Sequence, residues 1–480
     1  MFKSKRSRIV FGIGSLMAAV LAVAGTLFIT HSAKAATPTY HTHNVLVNPH
    51  PQPAGNPTAA IFGCQTDRGP TRIRCYSPQQ IYQAYGINKL QNAGITGKGR
   101  TFIIIDAFQN PGMVADLQAF DTTFGLPAPV FNQFAPDGLT PFDPTSANQV
   151  GWAGEIALDV QWAHAIAPAA TIDLVLAKSN TDLDLLTATE FAINQNLGDV
   201  ISQSFGENES CFDPTLLPRQ HADFVKATQK HITLLASSGD EGAALPTCDG
   251  NSWTQAASNP ASDPLVTAVG ATELHAAPDV ATGTANPTPG TYHDEVALNQ
   301  TNTPVNLGLG GNFSTGGGFS VLYHRPEFQE GVANVQGNHR GVPDIAYTGG
   351  INFGVLASFS IAGGFFVFGG TSVGSPNWAG LVALGDQLAG HRLGFINNSL
   401  YRIAKLGPLA NAAFHDITVG NNTVTEPDVN GNPVNVQGFN AMDDWDATTG
   451  LGTPKADGLI PFLVALNFLG DGDDAIAHDK

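Results

Sequence analysis

Short, unbroken apolar runs alternate with longer amphipathic stretches from about residue 76 onward. Thr101-Phe102-Ile103-Ile104-Ile105-Asp106 reads as a buried strand ending in a carboxylate. Further strands are predicted at Thr171 to Ala177, Val200 to Ser204, Ile232 to Ala236 and Leu265 to Val269. Helical periodicity is predicted for Pro78 to Tyr85, Val114 to Phe124, Gly151 to Ala165, Leu183 to Asn194 and Ala222 to Lys230. Gly97-Lys98-Gly99 marks a turn. Residues 127–149 read as a Pro/Asp/Asn loop, and 275–312 as a polar insertion without periodicity. Strands alternating with helices predict an α/β fold with a parallel sheet flanked by helices on both faces. Such sheets place their sites at the carboxyl ends of the strands. Asp106, Ser204 and Asp240 fall there.

The N-terminus changes the picture of where the chain works. Lys3, Lys5, Arg6 and Arg8 precede an apolar stretch from Ile9 to Thr30, and Ala33-Lys34-Ala35 fits a small-x-small cleavage site. Residues 1–35 are therefore read as a signal peptide and the protein as secreted; an uncleaved segment would tether it to a membrane. Residues 36–74, rich in Pro, Thr, His and Asn, read as a short, poorly ordered lead-in whose His41, His43 and His50 are solvated loop histidines rather than metal ligands. Export favours disulfides, and the four cysteines lie as two local pairs, Cys64 with Cys75 and Cys211 with Cys248. That pairing is expected, although four cysteines permit three connectivities.

Charged residues make up only 13% of the 480-residue chain, and the net charge is −18. That balance argues against a nucleic-acid or anionic-membrane partner. Few basic residues leave few carboxylate pairs for acid to break, which suits a protein that works in acid.

Candidate chemistry centres on Gly369-Gly370-Thr371-Ser372-Val373-Gly374-Ser375-Pro376, which precedes the apolar helix-like Trp378 to Leu384. A serine at a helix mouth meets free backbone N–H groups and the positive end of the helix dipole, which suit a nucleophile whose reaction builds an oxyanion. The plain alternative is a Gly/Ser turn that caps a core helix. A serine nucleophile needs a base, yet no His-Gly-Thr type motif is present. Glu155 and Asp159 instead lie at i and i+4 on a helix of otherwise apolar residues. Two carboxyls facing inward must share protons or find partners. Asp240, in Ala236-Ser237-Ser238-Gly239-Asp240-Glu241-Gly242, is either a turn carboxylate or an acid aimed at the strand-end crevice.

Gly370-Thr371-Ser372 through Pro376 resembles the nucleophile motif of subtilisin-like peptidases, and Ala163-His164-Ala165-Ile166-Ala167-Pro168 resembles the segment after their catalytic-histidine helix. Glu155 stands where histidine would, and with Asp159 the pattern resembles the sedolisin family of serine-carboxyl peptidases. Tyr82 to Gly86, Ile201 to Gly206, Pro260 to Gly270, Gly316 to Ser320, Arg340 to Asp344 and Thr449 to Pro454 continue the resemblance in order over roughly residues 75–465. It implies a subtilisin-like peptidase domain there, followed by a tail at 466–480, acting as a monomer on protein or peptide substrates. Ser372 would be the nucleophile, Glu155 the general base, Asp159 its partner, and Asp240 a protonated donor to the oxyanion. Asp106 would extend the proton network. A Glu base near its reference pKa of about 4.3 puts the expected optimum at about pH 3–5.

The resemblance also implies one structural calcium, held by Asp416, Ile417, Asp444 and Asp446. Met442 and Asp444 stand where the family has glycines. The tail Asp471-Gly472-Asp473-Asp474 lacks the rest of an EF-hand loop. A long prodomain is usual in the family, whereas residues 36–74 amount to 39 residues, too few for an independent domain. The retained Glu155, Asp159, Asp240 and Ser372 argue against an inactive secreted binding protein on the same scaffold. A lipase-type esterase is disfavoured because no Gly-x-Ser-x-Gly elbow with a downstream His is evident.

Overall fold

The computed structural model describes residues 39–43, 45–47, 62–66, 73–277, 290–301 and 312–469. The expected signal peptide, His50 and the acidic tail after Leu469 lie outside the described residues.

An eight-stranded sheet organises the chain. Its strands are β1 (Thr101–Ala107), β2 (Val130–Phe134), β3 (Thr171–Ala177), β4 (Val200–Gln203), β5 (Thr233–Ser237), β6 (Thr267–Ala277), β7 (Thr291–Ala297) and β8 (Ile345–Thr348). The order is β7-β6-β5-β4-β1-β3-β2, with β8 also beside β6. All neighbours run parallel except β6 and β7. Side chains alternate across a strand, so an apolar run feeds both faces of the sheet. Phe102 and Ile104 of β1 enter one core, and Ile103 and Ile105 enter the other.

Helices cover both faces. They are α1 (Met113–Phe124), α2 (Ala147–Ile166), α3 (Asp182–Gln195), α4 (Leu217–Gln229), α5 (Thr371–Ala389) and α6 (Ala456–Leu469). Most of the apolar side chains of α2, and those of α5 and α6, join the first core, while α3 and α4 supply the second. Every residue of α2 from Trp152 to Ile166 is buried, so it is a core helix rather than an amphipathic one. Its N-terminus is held by Ser146, whose side chain accepts from the Gln149 N–H at 3.3 Å. Gly380 lets α5 lie against α2, because a Cβ there would stand 2.6 Å from the Ile166 side chain.

Several expectations need correction. The loop expected at 127–149 contains β2, an edge strand with mostly exposed side chains, and the first turn of α2. The supposed polar insertion contains β7. The helix α6 runs to Leu469, into the region read as tail. Within the lead-in, His41–Thr42 pairs antiparallel with Phe205–Gly206, and Val45–Val47 pairs antiparallel with Val367–Gly369. Cys64–Cys75 and Cys211–Cys248 form the two disulfides, as expected. Among the described residues, no helix is long and apolar enough to cross a membrane.

Candidate active site

Ser372 is the second residue of α5. The chain enters this helix through Gly370, whose φ of 114° favours glycine. Space demands glycine as well, since a Cβ would fall against both the His43 carbonyl oxygen and Asp240 Oδ2. The Ser372 hydroxyl lies 3.4 Å from the Ser204 carbonyl oxygen, just past the end of β4. Its backbone N–H donates to the His43 carbonyl at 3.1 Å.

Glu155 and Asp159 project from α2, and Asp106 from the end of β1. All three are fully buried. None of their six carboxyl oxygens meets a fully formed hydrogen bond. Burial is the main cause that drives the Glu155 carboxyl well above the usual range, and the charges of Asp159 and Asp106 add to it; the Ser372 hydroxyl pulls the other way. Burial pushes Asp159 up to about 8, opposed by the Ser204 hydroxyl and Glu155. Asp106 is raised by burial and then by the Asp159 charge. No basic side chain contributes to any of the three shifts. The three acids therefore titrate as one proton store that cannot carry three charges together. Glu155 does not behave as a carboxyl near 4.3, so the cluster holds protons to higher pH than the reference value implied.

Asp240 follows β5 by three residues. Its Oδ1 accepts from the Thr371 N–H at 2.7 Å and the Thr371 hydroxyl at 2.9 Å. Its Oδ2 has no partner. Burial, and then the Glu241 charge, raise this acid well above the usual range, with the two Thr371 bonds opposing. Since Oδ1 is an acceptor twice over, the proton belongs on Oδ2. That oxygen and the His43 carbonyl oxygen, which accepts from the Ser372 N–H at 3.1 Å, both lie against Gly370, where a Cβ would stand 2.4 and 2.1 Å from them.

All four expected catalytic residues thus meet at the carboxyl ends of the strands, with Asp106 behind them. Ser204, already expected at a strand end, joins them, and Thr371 and His43 are additional members. Thr371 had a signal, being inside the serine motif. His43 had none beyond its place in a polar stretch read as solvated. It is in fact buried, with Nδ1 2.8 Å from Ser237 Oγ. Burial, then the His41 charge, lowers its imidazole to about 3, so it is neutral in all but strong acid.

The expected calcium ligands are two side-chain carboxylates, Asp416 and Asp446, and backbone carbonyls. Among the described residues, no group of three or more His, Cys, Asp or Glu side chains is arranged to hold a metal. Asp446 Oδ1 accepts from the Thr448 and Thr449 N–H groups, both at 2.8 Å, and its Oδ2 accepts from the Met442 N–H at 3.1 Å. Asp416 Oδ2 accepts from the Asp444 N–H at 3.1 Å. The carboxylates are engaged as loop staples. Asp444 does take a φ of 67°, a backbone turn that glycine favours.

A parallel α/β sheet with a serine at a helix mouth and buried carboxyls in place of histidine defines a subtilisin-like fold with a serine–carboxyl site. No protein-family model matches the chain. Kumamolisin from Bacillus sp. (strain MN-32) is 31% identical over 388 residues, which cover 79% of this chain and 62% of that protein. Sedolisin from Pseudomonas sp. (strain 101) is 31% identical over 353 residues, covering 70% of this chain and 53% of the relative. The chain thus spans between half and two thirds of the length of these relatives. The solved structure of Pseudomonas sedolisin, a serine-carboxyl proteinase complexed with two molecules of pseudo-iodotyrostatin, superposes with a TM-score of 0.66 at 25% identity, covering 82% of this chain and all of that one. These similarities support the sedolisin family for this chain.

Proposed function

We propose that this protein is an exported peptidase that cleaves protein or peptide chains in acid through an acyl-enzyme on Ser372. One observation carries the reading: the Ser372 hydroxyl acts on Glu155 of a buried carboxyl store, while the unpartnered Asp240 Oδ2 and the carbonyl oxygen that accepts from the Ser372 N–H both lie against Gly370. The Ser372 hydroxyl attacks the substrate carbonyl and its proton passes to Glu155. The C–N bond breaks, and the leaving amine takes that proton from Glu155. Water then adds to the ester carbonyl, gives a proton to Glu155, and releases Ser372, which recovers its own. Asp159 and Asp106 adjust the charge of Glu155 without touching substrate.

Acid is needed for two reasons. Asp240 stabilises the oxyanion only while it carries its proton, because an anion there would repel the developing charge. The carboxyl store must also be singly ionised, with the charge on Glu155. Both groups are raised: for Asp240 this extends the upper edge of activity, and for the store, which must lose one proton before Glu155 can act as base, it lifts the acid edge as well. A calcium ion on Asp416, Ile417, Asp444 and Asp446 is a separate proposal. Melting curves with and without a chelator decide it. The peptidase reading is tested with purified Glu155→Gln and Ser372→Ala. Both are expected to lose peptide hydrolysis in acid while keeping the native circular dichroism; full activity in either refutes it.

A further inference from the structure

Asp240 is followed directly by a second acid, Glu241. Residues 238–242 form a loop after β5 that neighbouring segments fix through its main chain. The Ser238 N–H donates to the Val269 carbonyl at 2.9 Å, and the Gly239 N–H to the Thr371 hydroxyl at 3.2 Å. The carbonyls of Gly239 and Asp240 accept from the Gly316 and Ser314 N–H groups at 2.6 and 2.8 Å, and the Gly242 N–H donates to the Ser314 carbonyl at 2.8 Å. The Asp240 N–H goes instead to the adjacent side chain, donating to Glu241 Oε2 at 3.1 Å. That oxygen curls back over the loop, 3.8 Å from where a Cβ on Gly239 would stand. Glu241 thus satisfies the main-chain donor of the oxyanion acid and sets its own carboxyl beside it.

Two adjacent carboxyls in such a loop resist ionising together, and the first charge settles on the better solvated one. Asp240 is buried, whereas Glu241 is half-buried, so Glu241 ionises first. Burial pushes Glu241 up to about 7, opposed by the Asp240 N–H and aided by the charge of Glu426, a buried acid on the strand Val424–Pro427. Asp240 is raised by its own burial and then by the Glu241 charge. From α5 it is Thr371 that faces the pair, and the segment 314–316 carries no titratable side chain. No basic side chain among the described residues acts on either acid. His43, whose carbonyl lies with Asp240 Oδ2 against Gly370, carries a neutral ring.

We propose that Glu241 is a positioning residue for the oxyanion acid: it fixes the Asp240 main chain, and its charge holds the proton on Asp240 Oδ2 as the medium becomes less acid. The proposal rests on the peptidase reading above. Below about pH 7 Glu241 is neutral and acts through its bond to the Asp240 N–H alone. As pH rises through about 7 it ionises. The new anion opposes a second one on Asp240, so the oxyanion donor survives to higher pH than Asp240 by itself allows. Glu241 touches neither substrate nor the reacting atoms; it acts through Asp240.

The test is the pH profile of kcat and KM for the purified protein on a quenched fluorescent peptide. Glu241→Gln keeps an oxygen for the Asp240 N–H and removes the charge. Its alkaline limb in kcat/KM is expected to move roughly one pH unit toward acid, a ~10-fold loss at a fixed pH on that limb, with KM unmoved. Glu241→Asp keeps a charge beside Asp240 and should restore most of the shift. Glu241→Ala loses the main-chain acceptor as well and should add a ~5-fold fall in kcat at the optimum; it carries the test where the glutamine variant does not fold. In an Asp240→Asn background Glu241→Gln should move nothing, since no proton is left to hold. A shift that persists in that background, or an alkaline limb that stays in place in both Glu241→Gln and Glu241→Ala, overturns this proposal alone. A wild-type chain that hydrolyses no peptide at any pH overturns the peptidase reading instead.

Discussion

Asp240→Asn offers a sharp test of how the oxyanion is held. In the native site Oδ1 takes both Thr371 donors and leaves Oδ2 to carry the proton. An asparagine in the same rotamer keeps its oxygen on Thr371 and places an N–H where Oδ2 stood. The donor survives and the titration is removed. Loss of one oxyanion donor costs about 10²–10³ in kcat, or ~3–4 kcal/mol, and this is the loss expected for Asp240→Ala. Asp240→Asn should stay within ~10-fold of wild type at the optimum, because a neutral amide donor replaces a neutral acid donor. The pH profile carries the sign. Asp240 has a raised pKa, so the donor is present below that pKa and lost as pH rises through it. Asp240→Asn should therefore lose the alkaline fall in kcat/KM caused by Asp240, while the acid limb, set by the carboxyl store, stays. The assay is kcat/KM for a quenched fluorescent peptide in half-unit steps from pH 3 to 8. An asparagine variant as weak as the alanine variant, with an unchanged alkaline limb, would refute the reasoning.

Other consequences concern stability. Asp386, on α5, is pushed up to about 8, chiefly by burial, with Oδ1 accepting from the Leu393 N–H at 2.7 Å. Its folded pKa is raised, so its contribution is fully present below about pH 4 and is lost as pH rises through about 8. Between pH 5 and 8 this is worth up to ~4 kcal/mol, so melting temperature should fall over that range, and less steeply in Asp386→Asn. Arg340 and Asp344 form a fully buried pair at 2.7 Å, and Asp344 also accepts from the Tyr401 hydroxyl and the Ala268 N–H. Arg340→Met strands the carboxylate and should cost ~3–5 kcal/mol in urea unfolding. Cys211–Cys248 closes a separation of 37 residues, and Cys211→Ser with Cys248→Ser should cost about 4 kcal/mol by loop entropy, read from the same unfolding curves.

The parts of the fold that local pattern encodes were legible. The apolar run of β1 announces a strand buried on both faces, and α2 announces itself through two carboxyls in an apolar helix. Ser372, Glu155, Asp159 and Asp240 were found because each sits in a short motif at a strand end or helix mouth. Elements stabilised from one side were missed. Asn132 and Gln133 give β2 a loop composition, since it pairs only with β3 at the sheet edge. The apolar Val45-Leu46-Val47 was the one hint of a strand in the lead-in, and its partner lies more than 300 residues away. Nothing local tells a histidine that fills a cleft from one in solvent. The rise of the Glu155 carboxyl was not foreseen because its main cause, complete burial, is set by the fold, with the charges of Asp159 and Asp106 adding to it.

The central claim is that Ser372 forms an acyl intermediate driven by carboxyls. Its most direct test is the intact mass of the enzyme quenched in acid while it turns over an activated peptide ester, followed by mapping of the modified peptide. The account predicts one acyl group on Ser372, with Glu155→Gln slowing its formation severely. Continued turnover with no adduct, or with the adduct on another residue, would contradict it.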